Sequence, residues 1–185
     1  MAGKPQYEVA ITGLGGQGAL SFGQFLAEAG MNTFKNVGFF PQYATVMRGG
    51  ESECTVTLSD DDVDSLLVAH PKAAVVMAPP KLKAFENKVK ANGILIVDSS
   101  VITEKIERKD LTVYYLPGTK VASDLGDKRA ANIFFLGAYL GLTKAAPLEK
   151  VEEVMEKKFS GKDKVIALNK KALREGARMV AEYQG

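Results

Sequence analysis

Apolar residues in the first third of the chain occur in two patterns, short continuous runs and longer runs at helical spacing. Residues 7–12 (YEVAIT) form an apolar run that ends in a glycine cluster, which predicts a buried first strand. Residues 19–29 carry apolar side chains near helical spacing, and Gly30 marks the predicted end of that helix. Residues 36–40 predict a second strand, and proline and paired glycines in residues 41–50 predict a loop.

Residues 51–58 alternate strictly between two sides, which predicts a half-buried strand. One side carries Cys54, Val56 and Leu58, and the other carries Glu53, Thr55 and Thr57. Because a buried free cysteine commonly acts as a small hydrophobic residue, we interpret Cys54 as part of the core.

The remaining pattern predicts an α/β protein with a helical C-terminal third. Residues 73–78, 93–98 and 111–116 read as buried strands, and residues 79–90 as a helix with Pro80 near its first turn. Strands separated by helices imply βαβ units, hence a Rossmann-like, mainly parallel sheet flanked by helices. Residues 118–127 predict a polar loop. Three predicted helices follow it: a buried one over residues 128–142, a surface one over residues 148–159 and an amphipathic one over residues 163–183. We expect residues 1–185 to form a single domain.

The composition argues against several classes of function. The 24 basic and 22 acidic residues nearly cancel, which argues against a nucleic-acid or membrane partner recognised by bulk charge. Cys54 is the only cysteine and His70 the only histidine, so the chain alone is not expected to hold an iron–sulfur cluster or a zinc ion. The N-terminus does not resemble a signal peptide and no run approaches the roughly 20 apolar residues of a membrane span, so we expect a cytoplasmic protein.

A glycine turn follows the first strand. It matches the G-x-G-x-x-G pattern at the start of a helix, with the residues Gly13, Gly15, Gly16, Gln17 and Gly18. Glycines permit close backbone approach, and a helix N-terminus presents free N–H groups to an anion, so a phosphate-bearing ligand fits. An NAD site also needs an acid at the end of the second strand, and residues 36–40 contain none. The alternative is that these glycines only let the helix pack closely on the sheet.

A second cluster follows the second strand and should lie at the carboxyl edge of a parallel sheet, where ligands bind in open α/β folds. Tyr43 could stack on a ring, and Arg48 could hold a carboxylate or phosphate. Gly49 and Gly50 let the backbone approach a ligand closely. A core ring and a surface salt bridge are the alternatives for Tyr43 and Arg48. The serines after Asp98 end another buried strand, and helix capping is the favoured role for them.

Together these motifs resemble the γ subunits of 2-oxoacid:ferredoxin oxidoreductases. The turn GLGGQG resembles the family's G-x-G-G-Q-G hallmark, and Pro41, Tyr43, Arg48, Gly49 and Gly50 match its P-x-Y-G-x-x-x-R-G-G hallmark. Residues 53–56 (ECTV) resemble a segment common in the 2-oxoglutarate branch. Two later patterns also resemble the family, one around Asn132, Leu136 and Gly137, the other around Asn169, Ala172 and Gly176.

The resemblance implies a subunit that is inactive alone. The complete enzyme would convert a 2-oxoacid to an acyl-CoA and CO2 while reducing ferredoxin, with thiamine diphosphate and iron–sulfur clusters held by other subunits. It implies no catalytic residue here. It implies that Gly13, Gly15, Gly16, Gln17, Gly18, Tyr43, Arg48, Gly49 and Gly50 contact coenzyme A (CoA), thiamine diphosphate, the substrate or a neighbouring subunit.

One departure from the family pattern and three alternative functions stay open. Ala44 stands where the family usually has glycine, and Thr45-Val46 where Pro-Glu is common, which leaves the choice of 2-oxoacid open. The chain could instead be a stand-alone Rossmann nucleotide-binding module or an NAD(P)-dependent enzyme. It could also belong to an indolepyruvate:ferredoxin oxidoreductase, or serve only in assembly.

Overall fold

The computed structural model describes residues 6–43, 50–61 and 68–183. Their core is a six-stranded sheet in the order β2-β3-β1-β4-β5-β6. The strands are β1 (Tyr7–Leu14), β2 (Asn36–Tyr43), β3 (Glu51–Ser59), β4 (Ala73–Val76), β5 (Ile94–Asp98) and β6 (Thr112–Leu116). All six predicted strands are therefore present, each with ends that differ from the predicted ones by only a few residues.

The sheet is mainly parallel, as predicted. β4 pairs parallel with β1, β5 with β4 and β6 with β5. β3 is the exception, because it pairs antiparallel with both β1 and β2. Since two reversals restore the direction, β2 runs the same way as β1, and the two strands end at the same edge of the sheet.

Six α-helices accompany these strands in the described part of the chain. They are α1 (Ala19–Gly30), α2 (Leu82–Lys88), α3 (Gly118–Asp124), α4 (Ala131–Thr143), α5 (Leu148–Lys158) and α6 (Asp163–Ala181), with short 3-10 turns at Pro79–Lys81 and Lys128–Ala130. One face of the sheet packs on α1 and on the C-terminal helices. The other face packs on α2 and on Ile102 and Ile106 of the segment after β5. The predicted helical C-terminal third is thus confirmed.

Three local predictions were wrong. Residues 118–127 were expected to form a loop, but Gly118–Asp124 is helical because its Ala122 side chain is buried in the core. The loop was predicted from residue 41, but residues 41–43 are strand, since β2 continues through Tyr43 by pairing with β3. The strand over residues 51–58 is not half-buried, because Thr55 and Thr57 are as buried as Cys54.

Candidate ligand site at the glycine turn

The glycine turn connects the carboxyl end of β1 to the first residue of α1. Gly16 and Gly18 have φ values of 93° and 79°, a left-handed conformation that side chains rarely adopt. A Cβ added to Gly16 would meet nothing within 4 Å, and both Gly15 and Gly16 are exposed. The tip of the turn is therefore open backbone that another molecule can approach.

Gln17 has a role inside the chain. Its Oε1 accepts a hydrogen bond from the Leu14 amide at 2.6 Å, and its Nε2 donates to the Met77 carbonyl at 3.2 Å. This carboxamide links the end of β1 to the residue that follows β4. Gly13 makes room for it, because a Cβ there would lie 2.8 Å from Oε1 of Gln17.

Gly18 is held from the other side by Asn132 in α4. The Nδ2 of Asn132 donates to the Gly18 carbonyl at 3.1 Å. A Cβ on Gly18 would lie 2.5 Å from that nitrogen, so only glycine fits between α1 and α4 at this point. Gly18 is thus required for packing, in addition to its conformation.

The two sequence motifs meet at this edge of the sheet, as predicted. The Gly15 amide donates to the Gly50 carbonyl at 2.8 Å. The backbones of Tyr43 and Gly13 both pair with Ser52 of β3, from opposite sides. Arg48 and Gly49 lie outside the described residues, as does the Tyr43 side chain.

The position of β3 argues against a dinucleotide site. In a Rossmann dinucleotide fold the strand that carries the ribose-binding acid lies next to the first strand. Here β3 separates β2 from β1, so the end of β2 is about 10 Å from the end of β1. Both this strand order and the absence of an acid in residues 36–40 argue against the binding of NAD.

The serines after β5 lie at the same edge and one of them caps a helix. Ser100 Oγ accepts a hydrogen bond from the Lys120 amide in the first turn of α3, at 3.0 Å. Asp98 is fully buried and accepts from the Thr119 hydroxyl at 2.6 Å and from the Ser100 amide at 3.0 Å. This network fixes the start of α3 against β5, as expected of a capping segment.

Basic side chains surround the open turn. Lys128 and Arg129 follow α3 and line a cavity of about 250 Å³ beside Gly16 and Gln17. Arg129 forms a forked ion pair with Asp127, with Nε–Oδ2 and Nη2–Oδ2 distances of 2.8 and 2.6 Å. The hydrogen bonds from Arg129 hold the pKa of Asp127 below its ordinary value. The carboxylate of Asp127 therefore stays charged and orients Arg129 at the mouth of the turn.

Cys54 lies in the core, as predicted. It is 1% exposed, and its Sγ lies 3.3 Å from the Ala19 carbonyl oxygen. Burial raises the pKa of the thiol to about 12. Across the described ranges, no cluster of three or more potential metal ligands occurs, and no helix has the length and apolar character to cross a membrane.

Sequence reasoning missed the contribution of the C-terminal helices to the site. Asn132 and Asn169 are buried amides within apolar helix patterns, and both lie near the glycine turn. A lone amide on the buried side of a helix was the available signal, because such a group needs a hydrogen-bond partner.

This α/β fold, with its glycine turn, matches a known family. The model of the family described as pyruvate ferredoxin/flavodoxin oxidoreductase matches residues 8–179. The chain therefore belongs to the pyruvate ferredoxin/flavodoxin oxidoreductase family, in agreement with the resemblance seen in its motifs.

Two curated relatives match this chain over most of its length. The chain is 34% identical over 174 residues to ketoisovalerate oxidoreductase subunit VorA of Methanothermobacter marburgensis, covering 93% of this chain and 36% of VorA. It is 31% identical over 180 residues to pyruvate synthase subunit PorC of Thermotoga maritima, covering 94% of each. The chain thus spans about a third of the VorA relatives and nearly all of PorC.

Solved structures agree on the fold. The γ subunit of a keto/oxoacid ferredoxin oxidoreductase from Geobacter sulfurreducens superposes with a TM-score of 0.81 at 26% identity, covering 96% of this chain and 99% of that one. The 2-oxoglutarate:ferredoxin oxidoreductase of Magnetococcus marinus, solved with 2-oxoglutarate, CoA and succinyl-CoA, shares the fold with a TM-score of 0.90. Its identity is 22%, over 98% of this chain and 32% of that one.

Proposed function

We propose that this chain is the γ-type subunit of a 2-oxoacid:ferredoxin oxidoreductase, with residues 1–185 forming one unit of the complex. The complex would oxidise a 2-oxoacid and CoA to an acyl-CoA and CO2. This oxidation releases a proton and two electrons, and the electrons pass to ferredoxin through iron–sulfur clusters in other subunits. Thiamine diphosphate, held by another subunit, supplies the carbanion chemistry when bound. This chain would position ligands and be inactive alone.

The observation that carries the proposal is the hydrogen bond between Gly15 and Gly50, 2.8 Å long. It joins the two hallmark motifs of the family into one backbone surface at the carboxyl edge of the sheet. A surface built from open glycine backbone suits the positioning of a ligand or of a neighbouring subunit.

The residues around the turn fit a phosphate group. Open backbone at Gly16, the N-terminus of α1 and the cations Lys128 and Arg129 form the surroundings that phosphates favour. CoA and thiamine diphosphate both carry phosphates, so either would be held by these groups. Tyr43, Arg48 and Gly49 would complete the site from the adjoining motif, against the ligand or against a neighbouring subunit.

The identity of the 2-oxoacid is a question for experiment. Relatives of comparable identity carry names for ketoisovalerate, pyruvate and 2-oxoglutarate, so the likeness of residues 53–56 to the 2-oxoglutarate branch stays a prediction. The test is an anaerobic pull-down of the tagged chain from its native cells. The eluate is assayed with a panel of 2-oxoacids, CoA and a low-potential electron acceptor. We expect a thiamine-binding chain, an iron–sulfur chain and CoA-dependent reduction of the acceptor.

Arg48→Ala tests the second motif in the same assay. We expect it to raise the KM for CoA or the 2-oxoacid, or to lower turnover, by about tenfold or more, because a charge-assisted hydrogen bond is lost. Arg178→Ala is the matched control, since among the described residues Arg178 forms ion pairs with Glu175 and Glu182 at the exposed C-terminal end of α6. A chain that emerges alone and binds a nicotinamide dinucleotide would contradict the proposal.

A further inference from the structure

A separate cleft opens at the amino edge of the sheet, the edge opposite to the glycine turn. It has a volume of about 450 Å³ and is formed by the starts of β1, β4 and β5 and by the last turn of α4. We call it the amino-edge cleft. Its size falls within the range of small-molecule pockets. Its lining residues are different from those of the cavity beside the glycine turn, so a ligand bound here would occupy a site of its own.

Glu8 brings a buried carboxylate with an open oxygen to this cleft. Its side chain is 5% exposed, and its Oε2 accepts a hydrogen bond from Nζ of Lys90 at 2.9 Å. Among the described residues, no donor bonds to the other oxygen, Oε1. Every side-chain nitrogen or oxygen that is fully sealed in the described structure has a partner, so Oε1 must be reachable from outside. A buried carboxylate favours further donors, and a ligand in the cleft that Glu8 lines can supply one.

Lys72 lines the same cleft as a cation that forms no ion pair within the described chain. Its Nζ donates to the Gln6 carbonyl at 2.8 Å, and the side chain is exposed. The register of β1 and β4 sets Val9 beside Ala73. Glu8 and Lys72 come one residue earlier on these neighbouring strands, which lie about 4.8 Å apart, so both side chains point to the same side of the sheet. The two opposite charges are therefore within reach of one small molecule.

The end of α4 adds partial negative charge to the cleft. Leu142 and Thr143 line it and are the last two residues of this helix. The final carbonyls of a helix carry the negative end of its dipole and favour a cation. The cleft thus presents negative charge at Glu8 and at the end of α4, and positive charge at Lys72. This arrangement suits a ligand that carries charges of both signs.

An apolar surface adjoins the charged groups. Tyr7, Ile94 and Leu142 line the cleft, and each is half-buried against the hydrophobic core. Tyr139 of α4 also lines the cleft and is only 1% exposed. Side chains of this kind favour an aliphatic or aromatic group on the ligand. The ligand should therefore combine a doubly charged head with an apolar body.

We propose that the amino-edge cleft binds an α-amino acid with an apolar side chain. The ammonium group donates to Oε1 of Glu8 and lies near the last carbonyls of α4, and the carboxylate pairs with Lys72. The side chain of the amino acid lies against Tyr7, Ile94 and Leu142. A ligand with one charge alone would leave either Glu8 or Lys72 without its partner. The site belongs to this chain and does not depend on the function proposed above.

The test is isothermal titration calorimetry of the purified full chain with L-leucine, L-valine and L-phenylalanine. Isopentylamine, which is leucine without its carboxylate, and isocaproate, which is leucine without its ammonium group, are the analogues. We expect L-leucine to bind and each analogue to bind at least about tenfold more weakly, because each lacks one charge-assisted contact. Glu8→Gln and Lys72→Gln should each weaken the binding of L-leucine by about tenfold for the same reason.

Lys105→Gln is the matched control, because it removes an exposed lysine that does not line the cleft. Lys72 is on the surface, so Lys72→Gln stays informative even if Glu8→Gln folds poorly. The proposal is overturned if none of the three amino acids binds at millimolar concentration. It is also overturned if isocaproate binds as tightly as L-leucine, or if Lys72→Gln leaves Kd unchanged. The pull-down that tests the proposed function is independent of all these results.

Discussion

Gly137 of α4 lies directly against the backbone of Leu173 in α6. A Cβ placed on Gly137 would be 1.8 Å from the Leu173 carbonyl oxygen, well inside van der Waals contact. The contact is reciprocal, because a Cβ on Gly176 of α6 would be 1.9 Å from the Phe134 carbonyl oxygen of α4. The two helices therefore cross with their backbones touching, and this crossing positions both Asn132 and Asn169 beside the glycine turn.

Gly137→Ala should destabilise the chain. The added methyl group forces α4 and α6 apart, at a cost of about 3 kcal/mol, which exceeds the gain of about 1 kcal/mol in helix propensity. Thermal unfolding followed by circular dichroism measures the change. Lys171→Ala is the control, because Lys171 is exposed on α6, the partner helix in this crossing. An unchanged melting temperature for Gly137→Ala would show that the helices do not cross this closely.

Gln17→Glu should destabilise the isolated chain by about 1–2 kcal/mol. The new carboxylate can still accept from the Leu14 amide, but it cannot donate to the Met77 carbonyl and instead places negative charge beside it. Urea unfolding measures the loss. Gln24→Glu is a matched control on the neighbouring helix, because the Gln24 Oε1 already accepts from Lys158 and a carboxylate would keep that bond.

The same pair of variants separates two roles for Gln17. If Gln17→Glu leaves the stability of the isolated chain unchanged but impairs the assembled complex, the side chain contacts a ligand or another subunit. If Gln17→Glu lowers stability as expected, the main role of the amide is to link β1 to β4. Loss of stability in Gln24→Glu of the same size would instead point to a general effect of added negative charge.

The strands and the glycine turn could be predicted because their signals are local. Residues 7–12 and 73–78 are short apolar runs between turn residues, and the turn needs left-handed conformations that only glycine adopts readily at Gly16 and Gly18. The meeting of the two motifs also followed from local reasoning, since parallel strands end at one edge.

The features that could not be predicted depend on contacts distant in sequence. The reversed direction of β3 reflects its pairing with β1 and β2, for which its alternating pattern gives no signal. Thr57 is buried on the side predicted to face solvent. The partnership of Asn132 with Gly18 spans 114 residues, and no spacing rule connects two positions so far apart.

The Cys54 thiol should be inert in the folded chain. Burial raises its pKa to about 12, so almost no thiolate exists at neutral pH, and the thiolate is the reactive form. Titration with a thiol-reactive dye should show no reaction under native conditions and one reactive thiol per chain in denaturant. Rapid reaction of the native chain would mean that Cys54 is not part of a closed core.

Glu152→Gln should destabilise the chain at neutral pH and much less in acid. Glu152 is 9% exposed and accepts two hydrogen bonds from Arg174, of 2.7 and 3.0 Å, which join α5 to α6. The Arg174 hydrogen bonds outweigh burial and lower the pKa of Glu152 from its ordinary value of 4.5. The stabilisation is therefore complete above about pH 5 and is lost as the pH falls through the lowered pKa.

We expect Glu152→Gln to cost about 1–2 kcal/mol at neutral pH, measured by urea unfolding, and to differ less from wild type at about pH 3. Glu153→Gln is the control, because its pair with Lys150 is exposed and contributes little at any pH. A gap between wild type and Glu152→Gln that stays constant down to acid pH would show that the carboxylate charge is not what joins the two helices.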